Sequence, residues 1–420
     1  MTGEALRGLD ALGDVAPPAA ASSTPSAAEV GARVVAARAQ VRLTGEQLAK
    51  ALGLRKDQIS KIESGVRKVS VRELPALANA LGVTVGYLLG QPASARLAMA
   101  HRLTQAVAEP AERQAARARA LQLLEVEDAL ARRAGVPPQV AEPAGARLCE
   151  YARSTFTTRP RNRDEAQRQG RRLAETVRAE LGLGHHEIGD LAGLIERTFG
   201  VDVALSPLGT AADGLCVHGE GVALIVASSD FSDGHVRFTL AHELGHHLLG
   251  DPREVIDEAE RDMFANDLAE KRVNAFAGHL LMPAEGVKET LDWVSGGIVT
   301  ERALVALMDR FQVSLAALVF QLNVLRVITF DQGQRLRDGR VSDLVARHQN
   351  VAPRQAALPV RRIVRSPERL LGAAMSGAQA QQVGLSVVAT LLERDDDDAL
   401  WDEVMEAGPA DEALAAVQLR

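Results

Sequence analysis

The stretch RFTLAHELGHHLLGD, residues 237–251, carries two histidines four positions apart, with a glutamate directly after the first. An α-helix turns about 100° per residue, so positions four apart lie about 40° from one another, one turn along the axis. His242 and His246 therefore project from one face, where two imidazole nitrogens can reach a single ion at about 2.0–2.1 Å. Glu243 stands beside them without being forced to ligate. A carboxylate so placed can take a proton from water that the ion polarises. Leu240, Leu244 and Leu248 form an apolar stripe on the same segment, which is expected as a helix ended at Gly250. The bland alternative is a surface helix with satisfied histidines. His247 turns about 100° from His246 and reads as a neighbour, not a ligand.

A catalytic zinc site needs a third protein ligand and an open position. Downstream, DLAEKRVNAFAGHLLMP (267–283) offers Glu270 as the best candidate, with Asp267 next and Glu258 and Glu260 weaker. Asn274 lies one turn past Glu270 on the same face and can orient a ligating imidazole from behind. His279 is nine residues past Glu270, about half a turn out of phase, and is expected away from the ion. Zinc suits two imidazoles and a carboxylate best, with manganese as the alternative. Upstream, VDVAL (201–205), GLCVH (214–218) and VALIVAS (222–228) read as strands, the last two flanking a hairpin turn at GEG. His218 and His235 can approach the cleft from the hairpin and the helix entry as hydrogen-bond donors. A surface role is the plainer expectation for both.

Length and composition bound the rest. At 420 residues the chain is expected to hold about three domains. Its 46% hydrophobic and 25% charged content is that of a globular protein, and 3% aromatics means that the cores rest on Leu, Val and Ala. Two cysteines, Cys149 and Cys216, cannot staple such a chain and point to a reducing compartment. The first thirty residues lack a basic start followed by an apolar core, and no apolar run approaches the ~18 residues of a membrane span. A cytoplasmic location and no membrane association are expected. The net charge of −7 is uneven: residues 30–90 carry +6 and 91–180 carry +5, against −15 over 181–420. The basic front half is the part expected to meet a polyanion.

Within 30–90, LTGEQLAKALGLRKDQISKIESGVRKVS reads as a helix (45–52), a turn at Gly53 and a second helix (56–63). Leu48, Ala49, Leu54, Ile59 and Ile62 have the spacing of a buried core. Lys56, Asp57 and Lys61 lie away from it near the start of the second helix, the geometry of a recognition helix entering a major groove. Lysines there can meet guanine edges and Asp57 can accept from cytosine, while Arg67 and Lys68 are placed for phosphate. The expected partner is double-stranded DNA; a unit used only for protein contacts is the alternative. The pair around DRFQVSLAALVFQLNVL has an apolar second helix (Leu315, Leu318, Val319, Leu322), so packing is expected there, with Ser314 as N-cap.

Two resemblances rest on these residues. LTGEQLAKALGLRKDQISKIESGVRKVS is similar to the Xre/lambda-repressor-type helix-turn-helix over the whole of 30–90, departing from it at Gly45, where that family often has glutamine. RFTLAHELGHHLLGD followed by EKRVNAFAGHLLMP resembles the ImmA/IrrE family of metallopeptidases over about 165–330. That resemblance implies a zincin-like α+β domain, His242 and His246 as metal ligands, Glu243 as general base and Glu270 as third ligand. The family usually has alanine where Val273 stands, and often glutamate where His279 stands. The first change is expected to tighten packing beside the metal.

The expected architecture is multidomain and mostly α with a small β-sheet. It comprises a flexible tail (1–28), an all-α helix-turn-helix domain (29–90), a helical linker (91–163), the metallopeptidase domain (164–330), a linker (331–362) and a helical C-terminal region (363–420) of unassigned role. The expected function is a DNA-binding regulator carrying a metal-dependent endopeptidase domain. The resemblance implies a protein substrate such as a repressor, and a homodimer is an option. The alternative is a transcription regulator or antitoxin whose peptidase-like domain is a sensor without turnover.

Overall fold

The computed structural model describes residues 25–40, 43–81, 83, 85–90, 114–137, 139–208, 213–219, 222–250, 268–337, 341–348, 364–394 and 398–406. The tail expected over 1–28 lies outside them to residue 24, as do the first part of the expected linker (91–113), the GEG turn at Glu220 and Gly221, and the weaker ligand candidates Asp267, Glu258 and Glu260.

The N-terminal unit comprises α1 (Ala27–Gln40), α2 (Gly45–Ala51), α3 (Lys56–Glu63), α4 (Glu73–Leu81) and α5 (Val85–Leu88). Thr44 starts α2 through a reciprocal cap: its hydroxyl accepts from Gln47 N at 3.2 Å and the Gln47 carbonyl accepts from Thr44 N at 2.8 Å. Gly53, at φ +63°, makes the tight turn that sends α3 across α2. Leu48, Ala49, Ile59 and Ile62 are buried with Val34, Leu77 and Leu88, and Leu54 packs half-buried against them.

The main body begins with α6 (Gln114–Ala134), α7 (Pro143–Thr155), α8 (Arg163–Glu180) and α9 (Leu191–Phe199). Strands β1 (Asp202–Ser206), β2 (Gly214–Gly219) and β3 (Val222–Ser228) follow, then α10 (Asp233–Leu249) and α11 (Leu268–Leu281). The sheet order is β1-β3-β2, with β3 parallel to β1 and antiparallel to β2. Next come α12 (Ala284–Ser295), α13 (Glu301–Phe311), α14 (Leu315–Val324), α15 (Phe330–Arg337) and α16 (Val341–Arg347). Last are α17 (Glu368–Gln379), α18 (Leu385–Leu392) and α19 (Asp398–Glu406). Ser314 caps α14 by accepting from Ala317 N at 3.2 Å, and Leu315, Leu318, Val319 and Leu322 are buried in the main core.

Strand alternation divides the sheet between two cores, because successive side chains point to opposite faces. Val203, Cys216, Ile225 and Ala227 face the core built by α8, α10, α11 and their neighbours. Ala204, Leu215, Val217, Leu224 and Val226 face a second core made with α6, α17, α18 and α19. Here the structure departs from the sequence expectation. Much of the segment read as a helical linker is integral: α7 buries Leu148 and Ala152 in the main core, and α6 covers the far face of the sheet. The second expected linker also contains packed helix, since α16 buries Leu344 and Val345. Helical periodicity reports an apolar face but not which distant surface covers it, so helices far apart in sequence read as spacers. The N-terminal unit rests on this body as well. Helices α4 and α6 pack together, and the Glu125 carboxylate accepts from Gly86 N at 2.9 Å.

Buried ion pairs fasten the C-terminal segment to the sheet. Leu205 and Arg365 exchange backbone hydrogen bonds (2.8 and 2.9 Å). The Arg365 guanidinium forks onto Glu196 at 2.9 and 2.7 Å and donates to Val203 O. Arg369 bridges Glu127 of α6 and Asp202 of β1 at 2.8 and 2.7 Å. Burial pushes the Asp202 carboxyl up to about 6 although Arg369 opposes it. Removing one member of such a pair strands a buried charge. Arg365→Met is therefore expected to destabilise this body by about 3–5 kcal/mol, seen as a lower urea midpoint. The double variant Glu196→Gln/Arg365→Met should recover part of the loss. A midpoint unchanged in Arg365→Met would show that the pair does not hold the two cores together.

Candidate functional site

Helix α10 runs through the centre of the main core and buries its whole second half, from Thr239 to Leu248. It ends at Gly250, whose φ of +59° lets its N–H return to the last turn. Helix α11 crosses it closely. A Cβ on Gly245 would lie 2.8 Å from Val273 Cγ1 and 2.9 Å from Phe276 Cδ1, so only glycine fits the crossing. Val273 thus packs directly against the histidine helix.

The crossing brings three donor groups together. His242 Nε2 and His246 Nε2 are 3.0 Å apart, and the Glu270 carboxylate lies 3.3 Å from the first and 3.6 Å from the second. Ligand atoms of a tetrahedral ion bound at 2.0–2.1 Å are separated by ~3.3 Å, so the three groups fit one ion. Among the described residues they form the one cluster of this kind. The Asn274 carbonyl oxygen lies 2.9 Å from His242 Nδ1. When an ion is bound, that acceptor would keep the ring proton on Nδ1 and leave the Nε2 lone pair for the ion. Burial raises the Glu270 carboxyl, but hydrogen bonds to His242 and His246 outweigh it and hold the group well below the usual carboxylate range. Glu243 is completely buried on the same helix.

Among the described residues, no other histidine joins the cluster. His247 is buried in the last turn of α10, where its carbonyl accepts from Arg153 at 3.2 Å. His279 is buried against α8, and burial, then the charge of Arg171, pulls it down to about 4. His235 stacks on Phe231 at 4.4 Å and sets Nε2 3.3 Å from the Asp213 carboxylate. The His218 side chain lies outside the described residues. One neighbour was not singled out from the sequence: Cys216, buried on the inward face of β2. Burial, then the nearby Glu243 charge, raises its thiol well above the ordinary value. Inward alternation with Ile225 across the hairpin was the signal for it.

In the helix-turn-helix unit, Lys56, Asp57, Lys61 and Lys68 are exposed and Arg67 is half-buried. Asp57 lies within 3.4 Å of Lys61 and 3.3 Å of Arg55, an exposed cation at the start of α3 that the sequence reading passed over. Arg67 is tied to Glu73 at 2.5 Å, and its hydrogen bond holds that carboxyl down to about 2. Arg67 can therefore reach a phosphate only by sharing or leaving Glu73, whereas Lys68 is free of that constraint.

Residues 35–88 match the helix-turn-helix family model, and residues 196–323 match the IrrE N-terminal-like domain, a metallopeptidase-family domain. No curated protein matches the chain. Among the described residues no single helix is long and apolar enough to cross a membrane.

Loss of an outer-shell partner of a metal-ligating histidine typically costs 10–100-fold in metal affinity. If the cluster holds a metal, Asn274→Ala is expected to weaken its affinity for added zinc by about that factor, measured by competition with a chromogenic chelator, while the fold is kept. Wild-type affinity in this variant would remove Asn274 from the site.

Proposed function

We propose that this chain, which joins a helix-turn-helix unit to an IrrE N-terminal-like domain, is a DNA-binding transcription regulator that acts in the cytoplasm as a zinc-dependent endopeptidase. Its substrate is a protein partner, with a repressor as the expected class. The observation that carries the reading is the convergence of His242, His246 and Glu270 beside a fully buried Glu243. Two imidazoles and one carboxylate suit zinc, with manganese the alternative. An ion held by His242, His246 and Glu270 would supply Lewis acidity to a scissile carbonyl and a water. Glu243 is the base proposed to take that water's proton and return one to the leaving amine. Asn274 fixes the ring of His242, and Glu270 supplies a negative charge that its two histidine neighbours keep ionised.

The same protein without turnover, as a sensor or an antitoxin-like regulator, is the competing reading. It gives no role to the carboxylate of Glu243, which is fully buried one residue from His242. On the DNA side, Lys56, Asp57 and Lys61 are proposed to read bases from the major groove. Lys68, with Arg67 sharing its hold on Glu73, is proposed to meet phosphate. A two-fold operator would call for a homodimer. Tethering the protease to DNA raises its effective concentration near a DNA-bound substrate.

Two experiments test this. Glu243→Gln should retain the metal and abolish cleavage, so comparison of cellular N-terminal peptides should show a partner cut only in wild type. Identical peptide sets, with regulation intact, would favour the sensor. Lys56→Ala/Lys61→Ala should weaken operator binding and reduce the slope of log K against log salt by about 2 if both lysines meet phosphate as well as bases. Unaltered gel shifts would move the unit to protein contacts.

A further inference from the structure

Helix α3 presents to the outside a carboxylate held between two cations. Asp57 and Lys61 stand two residues either side of the buried Ile59, so both lie about 160° around the helix from it. Arg55 precedes the helix, and the Asp57 carboxylate draws its guanidinium onto the same outer face. Arg55 Nε lies 3.3 Å from Asp57 Oδ1, and Lys61 Nζ lies 3.4 Å from Asp57 Oδ2. On the flank, Lys56 Nζ lies 4.0 Å from the Glu46 carboxylate of α2. Three cations thus meet two carboxylates, so this end of α3 is only weakly positive.

The main chain of Arg55 is fixed while its side chain is open. Its N–H donates to Gln58 Oε1 at 2.9 Å, and its carbonyl accepts from Gln58 N at 3.0 Å and Ile59 N at 3.3 Å. The side chain is 77% exposed, so a ligand can reach the guanidinium directly.

Stability does not account for Asp57, because exposed ion pairs add little to it. Nor does affinity for phosphate, since a carboxylate on that face repels the DNA backbone. Base reading does account for it. The N-terminal residues of a recognition helix are the ones that reach base edges, and Arg55 stands at that end. A guanidinium carries five N–H donors in a planar fork. Asp57 meets it at Nε, which leaves the end-on pair of Nη donors. Two such parallel donors match O6 and N7 of guanine in the major groove.

We propose that Arg55 reads a guanine of the operator and that Asp57 is its positioning residue, holding the guanidinium by Nε and leaving both Nη groups for the base. This role rests on the DNA-binding reading given above and adds a residue and a base to it. Ordering the side chain beforehand removes part of the entropy cost of fixing it on the base. The same carboxylate disfavours the phosphates of every sequence, so it widens the gap between right and wrong sites. Each carboxylate oxygen keeps a further lone pair, so Asp57 can still accept from a cytosine.

In vitro selection from random-sequence duplex by the full-length protein, followed by gel-shift titration, tests this role. Wild type should select an operator with a guanine whose replacement by adenine weakens binding about 10–100-fold. Arg55→Ala should bind the two versions within about twofold of each other and keep its preferences at other positions. Arg55→Lys, which keeps the charge without the planar fork, should lose most of the same preference. Asp57→Asn should discriminate the guanine less, yet bind random duplex more tightly, with a slope of log K against log salt steeper by about 1. Circular dichroism checks that each variant folds. A guanine penalty unchanged in Arg55→Ala would overturn the role of Arg55. A uniform loss across all sequences would do the same, leaving it a phosphate contact. Wild-type discrimination in Asp57→Asn would overturn the positioning role. A wild type that selects no sequence at all would overturn the DNA-binding reading itself, and this role with it.

Discussion

Everything at the proposed metal centre depends on how closely α10 and α11 approach. The contact is made at Gly245, where Val273 and Phe276 occupy the space that a Cβ would need. Only at that separation can Glu270, on one helix, reach two imidazoles on the other. The helices are held there by the main core, which surrounds them with Leu240, Leu244, Phe276 and Leu280. The polar cluster is thus a consequence of apolar packing. Bringing three polar groups out of water is costly, and the apolar packing around them offsets that cost.

The sheet serves this arrangement from behind. Three short strands would be marginal by themselves, yet each is covered on both faces, so their alternating residues all find partners. Val203, Cys216 and Ile225 support the helix that carries the histidines, while Leu215, Val217 and Val226 meet α6 and the C-terminal helices. The helix-turn-helix unit contacts α6, which in turn contacts β2 and β3. A continuous path of packed elements therefore runs from the DNA-facing unit to the strand that holds Cys216 near Glu243.

Much of the site was legible in the sequence because it is local. Helical spacing alone puts His242 and His246 on one face, and Glu270 and Asn274 on one face of a second helix. What spacing leaves open is whether two faces meet, so Glu270 stood as the best of several candidates until the resemblance implied the same residue. The helix-turn-helix core was equally readable, since Leu48, Ile59 and Ile62 sit within a few turns of one another. Long-range partners were not. Nothing in the local pattern of Arg365 or Arg369 names Glu196, Glu127 or Asp202, more than a hundred residues away. Nor does the composition of 114–134 announce that it covers a sheet. Arg67 shows the same limit at short range: its position looks suited to phosphate, but only coordinates reveal that Glu73 engages it.

The second core has a consequence for where this protein can be cut. The matched peptidase-family segment spans 196–323, but half of its sheet surface is closed by helices drawn from before it and after it in the chain. Excised at the limits of the match, the sheet would present Leu215, Val217, Leu224 and Val226 to water on one broad face. The unit of inheritance and the unit of folding are therefore different here. The helices at 114–134, 368–379, 385–392 and 398–406 behave as one discontinuous cover, whose loss would uncover the strands beneath the helix that carries His242 and His246.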